Sequence, residues 1–182
     1  DFVGSAVVSS DQPVAANLNT QVPSGTGNNT PDIPNRMGTA SGVLEPATTL
    51  YFTQLMKNYS GWNSYIAVQN TGAEVANVTV TYYNDADGSV AGTDQVTIQP
   101  YSTYIFEQAD NESLPASLWS GSAKVVSTNG QPLAGIANLF NSGVSKDKAQ
   151  FQSYNGVASG GTLLYVPRIV KDLYDYQGGM KI

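Results

Sequence analysis

Apolar and polar residues alternate along much of this chain. Between Ala76 and Tyr83 the apolar positions are separated by Asn or Thr, and a two-residue period predicts a β-strand with one buried and one solvated face, as in antiparallel sheets. Asn84–Gly88 predicts a hairpin loop, because Gly88 adopts a positive φ without steric cost. Further strand-like segments follow at Tyr65–Gln69, Gln95–Ile98, Thr103–Phe106, Gly121–Val126, Leu133–Phe140, Ser153–Val157 and Leu163–Val170. A spacing of roughly 8–12 residues predicts an all-β, antiparallel β-sandwich, with at most one short helical turn near residues 114–118.

Several parts of the sequence recur at an offset of about 115 residues. The recurring pairs are Gly4–Ala6 with Gly121–Ala123, Gln12–Ala15 with Gln131–Ala134, and Leu50–Asn58 with Leu164–Asp172. Residues 1–49 therefore correspond to the later part of a unit, with a polar loop at 20–38, residues 50–163 to a complete unit, and residues 164–182 to the opening strands of a further unit. We expect such a chain to continue beyond these residues or to be completed by a neighbouring chain.

Composition narrows the function classes. The 182 residues carry a net charge of −6 with only 12% charged residues, and they include no Cys and no His. The negative charge argues against nucleic acid and against a polybasic membrane surface site. The lack of His and Cys removes the usual general base, thiol nucleophile and preferred metal ligands. We therefore predict no enzymatic activity, no cofactor and no membrane insertion, and the Thr- and Asn-rich composition predicts an extracellular, cell-surface location.

Two groups of carboxylates are candidate sites. Asp85 and Asp87 resemble half of a calcium-binding loop, but the full ligand spacing is absent and a hairpin turn requires the same residue types. Glycoside hydrolysis requires a pair of carboxylates, and Asp110, Glu112 and the nearby Glu107 could supply such a pair. Nothing in the sequence fixes the separation of these carboxylates. We interpret the first group as a turn and the second as a solvated loop.

Lysines and aromatic residues give further candidates. Lys57 and Lys171 occupy equivalent repeat positions, where a lysine either protects a strand edge or forms an amide cross-link with an asparagine beside a carboxylate. Six aromatic residues could stack on sugar rings, and the alternative is that they fill the core or a contact between units. They are Trp62, Trp119, Tyr59, Tyr65, Tyr174 and Tyr176. Glycosylation patterns begin at Asn28, Asn58, Asn77 and Asn111.

The stretch Met56–Gly72, followed by Val78–Tyr83, Gly121–Ala123 and Ser153–Gly156, resembles a tandem module of large secreted surface proteins from filamentous, mat-forming bacteria. The resemblance covers nearly the whole chain. It implies an immunoglobulin-like sandwich outside the cell and supplies no catalytic residues. The second copy departs from the motif, since Tyr174–Gly178 replaces Ser60–Ser64.

The phase of the repeat favours a structural subunit of an extracellular filament or surface fibre. Copies of the chain are then the expected partners, and the strands at 164–182 of one copy insert beside residues 1–49 of the next. The predicted assembly residues are Leu164, Tyr165, Val166, Ile169, Val170, Tyr174, Tyr176, Met180 and Ile182. The alternative is an adhesin or carbohydrate-binding module that contacts surface glycans.

Overall fold

A computed structural model describes residues 4–22, 36–141, 150–163 and 165–166, and in these ranges it contains ten β-strands and no helix. The strands are β1 (Asn17–Val22), β2 (Arg36–Ser41), β3 (Thr49–Lys57), β4 (Trp62–Asn70), β5 (Ala76–Asn84), β6 (Val90–Ile98), β7 (Thr103–Glu107), β8 (Trp119–Ser127), β9 (Leu133–Asn141) and β10 (Gln150–Asn155).

Eight of these strands form a sandwich of two antiparallel sheets. The first sheet has the order β10-β9-β4-β7 and the second the order β3-β8-β5-β6. The predicted all-β, antiparallel β-sandwich is confirmed. Its strand order is not that of an immunoglobulin constant domain, in which strands A and B share a sheet, because β3 and β4 lie in different sheets here.

The core follows from the two-residue period. Along β8 every second residue is buried, and β5 buries Val78, Val80 and Tyr82 as the alternation predicts. Phe52 and Leu55 of β3 are both fully buried because a bulge between them shifts the register by which β3 pairs with β8. The hairpin loop after β5 also agrees with the sequence, and Gly88 has a φ of 70°.

Tyr154 ties the two sheets together at this bulge. Its hydroxyl, on β10 of the first sheet, donates to the carbonyl of Gln54 at 2.6 Å and accepts from the Gln54 N–H at 3.1 Å. Both backbone groups of the bulged residue are thereby satisfied across the sandwich. Gly156 leaves room for the Phe52 ring, since a Cβ at Gly156 would lie 2.7 Å from Phe52 Cζ.

The β1–β2 hairpin repeats the β9–β10 hairpin in its pairing. Leu18 lies opposite Ala40 in the first hairpin, and their repeat equivalents Ala137 and Tyr154 lie opposite each other in the second. The backbone bond from Gly42 N to Ala16 O, 2.8 Å, likewise has its counterpart in the 2.9 Å bond from Gly156 N to Gly135 O. The recurrence in sequence is therefore also a recurrence in strand register.

This first hairpin packs on the outer face of the sandwich at β10. Gly38 is so close to the side chains of Phe151 and Ser153 that a Cβ would overlap them. Asn155 donates to the Ser41 carbonyl at 2.8 Å. Asn138 of β9 is buried at the same face, where it accepts a hydrogen bond from Ser153.

Two local predictions are wrong where the structure describes their residues. Residues 20–22 and 36–38 were expected in a polar loop but belong to β1 and β2, because the ladder between these strands outweighs their polar side chains; residues 23–35 lie outside the described ranges. A strand was expected at Leu163–Val170, but the described residues Leu163, Tyr165 and Val166 lie in no strand; residue 164 and residues 167–170 lie outside the described ranges.

Candidate functional site

The segment Gly4–Ala16 leaves apolar side chains in solvent. Val8 is 67% exposed, whereas Val125, its repeat equivalent on β8, is fully buried. Val14 is 49% exposed, and its equivalent Leu133 is fully buried. The same sequence pattern is thus covered in one unit and uncovered in the other, because residues 4–16 have no strand partner in the described chain.

The predicted donor strands are described only in part. Tyr165 and Val166 are exposed, Tyr165 by 82%. The remaining predicted assembly residues lie outside the described residues: Leu164, Ile169, Val170, Tyr174, Tyr176, Met180 and Ile182. Lys171 also lies outside them.

Asp85 and Asp87 bind different serines of the hairpin region. Asp87 accepts hydrogen bonds from the N–H and hydroxyl of Ser89, at 2.9 and 2.7 Å, and these bonds lower the pKa of the Asp87 carboxyl. Asp85 accepts from the hydroxyl of Ser120 on β8. The described part of the chain contains no group of three or more carboxylates placed to hold a metal ion.

Among the remaining predicted residues, Tyr59 and Trp62 exchange backbone hydrogen bonds at the turn between β3 and β4. Glu107, Asp110 and Glu112 are all exposed. Trp119 is buried in the core, where it makes an edge-on contact with Tyr82 at 5.9 Å. The other described aromatic candidates are Tyr59, which is exposed, and Trp62 and Tyr65, which are half-buried. Tyr65 contacts Phe140 at 6.3 Å, and burial followed by the Glu107 charge raises the pKa of Tyr65.

Lys57 is the unusual residue of the sandwich. It ends β3 with only 7% of its surface exposed. The Ser64 hydroxyl accepts a hydrogen bond from the Met56 N–H at 2.9 Å, so the residue before Lys57 is fixed to β4. Lys57 Nζ donates to the backbone carbonyl of Asn111 at 2.7 Å and has no carboxylate partner in the described chain.

Asn111 in turn contacts Asp94 of β6. The Asn111 amide nitrogen Nδ2 lies 2.6 Å from Asp94 Oδ2, which also accepts from the Tyr82 hydroxyl at 2.9 Å. Ser113 binds both residues, since its N–H donates to Asn111 Oδ1 at 2.8 Å and its hydroxyl donates to Asp94 Oδ1 at 2.6 Å. Burial, and then the Asp94 charge, raise the pKa of Tyr82 far above its ordinary value.

The fold brings this cluster together from three distant segments. Gly92 has no side chain where the backbone of Ser113 crosses β6, and a Cβ there would overlap the Ser113 carbonyl. The sequence indicated Lys57 as a candidate for an amide cross-link with some asparagine beside a carboxylate. It did not indicate that these partners would be Asn111 and Asp94, which lie 54 and 37 positions from Lys57.

Comparisons with known proteins inform only the fold. No family model matches the sequence, and no curated protein matches it. The crystal structure of Thermotoga maritima 1070 is similar with a TM-score of 0.51 and 19% identity, covering 64% of this chain and 98% of that one. The Anabaena sensory rhodopsin transducer gives a TM-score of 0.38 and 17% identity, covering 52% of this chain and 97% of that one. The similarity to the Thermotoga maritima structure supports the β-sandwich fold and identifies no activity.

None of the described residues forms a helix long and apolar enough to cross a membrane.

Proposed function

We propose that this protein is a structural subunit of an extracellular filament or surface fibre, in which another copy or a tandem unit supplies the opening strands of the unit whose later part is residues 1–49. The observation that carries the proposal is the contrast between Val8, exposed, and Val125, buried at the equivalent position. The matching registers of the β1–β2 and β9–β10 hairpins support the same reading. Exposed apolar side chains and unpaired backbone groups favour pairing with another strand.

The complete unit supplies the register for the missing strand. β3 pairs with β8 so that Leu50 lies opposite Val125, Phe52 opposite Ala123 and Leu55 opposite Gly121. Transferred through the repeat, these pairs place Leu164 opposite Val8, Val166 opposite Ala6 and Ile169 opposite Gly4. The β4–β9 pairing similarly transfers to residues 176–182 beside β1.

A contact within the chain competes with this assembly. The face of β2 that carries Gly38 corresponds to the core face of β10, and it packs on the outer face of its own sandwich. A completed second sandwich would bury that face instead. The proposal therefore includes release of the hairpin when the strands pair.

Two neighbouring substitutions test the proposal. Val8→Asp places a charge at the position equivalent to buried Val125, whereas Val7→Asp does so at the position equivalent to half-exposed Lys124. Sedimentation and electron microscopy monitor assembly of the full chain. Assembly should be lost in Val8→Asp and retained in Val7→Asp. Both variants should keep the wild-type melting temperature, because residues 4–16 contribute little to the sandwich core. Equal assembly of the two variants, or a monomeric wild type at high concentration, would contradict the proposal.

A glycan-binding module remains the alternative prediction. Trp119 fills the core and Tyr65 packs on Phe140, which favours the structural role. Tyr59 and Trp62 exchange backbone hydrogen bonds in the turn between β3 and β4, and they are the described aromatic residues that a glycan would contact. A glycan screen of the intact chain separates the two functions. Specific binding that is lost in Tyr59→Ala would favour the alternative.

A further inference from the structure

One cluster contains Lys57, Asn111 and Asp94. Its hydrogen bonds alone do not explain how the cost of burying the Lys57 ammonium group is offset. A buried ammonium group is costly unless a carboxylate pairs with it. Lys57 has a carbonyl as its partner and no carboxylate in the described chain, although Asp94 lies just beyond Asn111. The charge would disappear if Nζ became part of an amide.

We propose that Lys57 and Asn111 form an intramolecular amide cross-link, promoted by Asp94. Nζ of Lys57, as the free amine, attacks Cγ of Asn111, and the new bond joins Nζ to Cγ. The bond from Cγ to Nδ2 breaks, and Asp94 carries a proton from Nζ to Nδ2, which leaves as ammonia. Nothing is oxidised or reduced, and the reaction needs no further reactant.

The positions of three surrounding groups agree with this step. Nζ is held at the backbone of the residue whose side chain it attacks, 2.7 Å from the Asn111 carbonyl oxygen. Asp94 Oδ2 lies 2.6 Å from Nδ2, the leaving nitrogen. The Ser113 N–H lies 2.8 Å from Oδ1, where negative charge develops as the tetrahedral intermediate forms.

The packing around the cluster makes the encounter intramolecular and persistent. Met56 is bound to Ser64, and Ser64 also donates to fully buried Gln108 at 2.9 Å, so β3 and the loop after β7 are held together. Because the fold holds the Lys57 amine close to Asn111, the reaction does not have to overcome the entropy cost of bringing two separate molecules together. The cluster turns over once, and its product is a covalent tie between β3 and the loop that precedes β8.

Intact-mass spectrometry of the purified, denatured wild-type chain tests the cross-link. We expect a mass lower than the sequence mass by one ammonia. After digestion with a protease that cleaves after glutamate, which cuts at Glu74 and Glu107, the peptide containing Lys57 should be joined to the one containing Asn111. Trypsin should no longer cleave after Lys57. A full sequence mass, a glycan on Asn111, or loss of ammonia without the joined peptides would overturn the proposal, since an asparagine alone can lose ammonia by cyclising onto its own backbone.

Variants separate the three roles. Lys57→Arg, Asn111→Ala and Asp94→Ala should each restore the full mass expected for the variant, while Lys124→Arg, which changes a lysine on β8, should retain the ammonia deficit. Circular dichroism shows which variants fold. If Asp94→Ala does not fold, the wild-type mass and peptide map decide the proposal by themselves. A folded Asp94→Ala that still carries the joined peptides would exclude the role given to Asp94.

Discussion

Replacing Lys57 with methionine should reveal the cross-link by the sign of its effect on stability. Methionine has a similar length and is apolar, so it fills the space of a side chain that is 7% exposed. If Lys57 were an ordinary buried amine, removing it would cost one hydrogen bond to Asn111 and would relieve an uncompensated charge. The loss of that bond, about 1.5–3 kcal/mol, and the relief of the charge act in opposite directions, so stability would then change little or would increase.

The cross-link predicts the opposite result. Lys57 and Asn111 are 54 positions apart, and the chain-entropy model for a cross-link that closes a loop of that length gives a stabilisation of about 4 kcal/mol. Lys57→Met should lower the free energy of unfolding by that amount and the melting temperature by about 10 °C.

Urea unfolding followed by tryptophan fluorescence measures the effect, because Trp119 is buried in the core. Lys124→Met is the matched control. In the wild type, Nζ of Lys124 lies 5.9 Å from the centre of the Tyr51 ring, and losing this contact should cost less than about 1 kcal/mol. A Lys57→Met variant as stable as the wild type, or more stable, would refute the reasoning.

Three further perturbations follow from the fold. Asn70 is fully buried; its amide nitrogen donates to the carbonyls of Glu74 and Ile98, and its amide oxygen accepts from the Gly72 N–H. Asn70→Ala should cost about 3 kcal/mol in urea unfolding, against almost no change for the exposed control Asn77→Ala. Burial raises the pKa of Tyr154 from 10.0 to about 12, so between these pH values the folded chain keeps a proton that the unfolded chain has lost. Stability should fall as pH rises through this window, less steeply in Tyr154→Phe than in Tyr101→Phe, and equal slopes would contradict the assignment. Gly38→Val should displace the β1–β2 hairpin from β10 and speed proteolysis of residues 4–49 without lowering the melting temperature of the sandwich, and unchanged proteolysis would show that the contact is not needed.

The sequence by itself determined the fold class and most of the strands, because the two-residue period is a local property of the chain. The alternation from Ala76 to Tyr83 corresponds to β5, and the Asn–Asp–Gly turn after it has the expected conformation. The repeat placed residues 1–49 at the later part of a unit, and the structure contains there a hairpin whose bond from Gly42 N to Ala16 O matches that from Gly156 N to Gly135 O in β9–β10. The same residue pattern thus specifies the same register. Periodicity could not indicate which sheet each strand joins, since β3 and β4 are adjacent in sequence and lie in different sheets.

Only the tertiary structure decided which polar residues meet. Lys57 ends β3, Asp94 lies on β6 at the opposite edge of the same sheet, and Asn111 lies in the loop after β7. No spacing rule connects residues so far apart in sequence. Their proximity depends on sheet order, on the absence of a side chain at Gly92 and on the buried bond between Ser64 and Gln108. Local pattern fixes which face of a strand is apolar, whereas side-chain chemistry at a site depends on long-range packing, and that packing brought a lysine, an asparagine and an aspartate together.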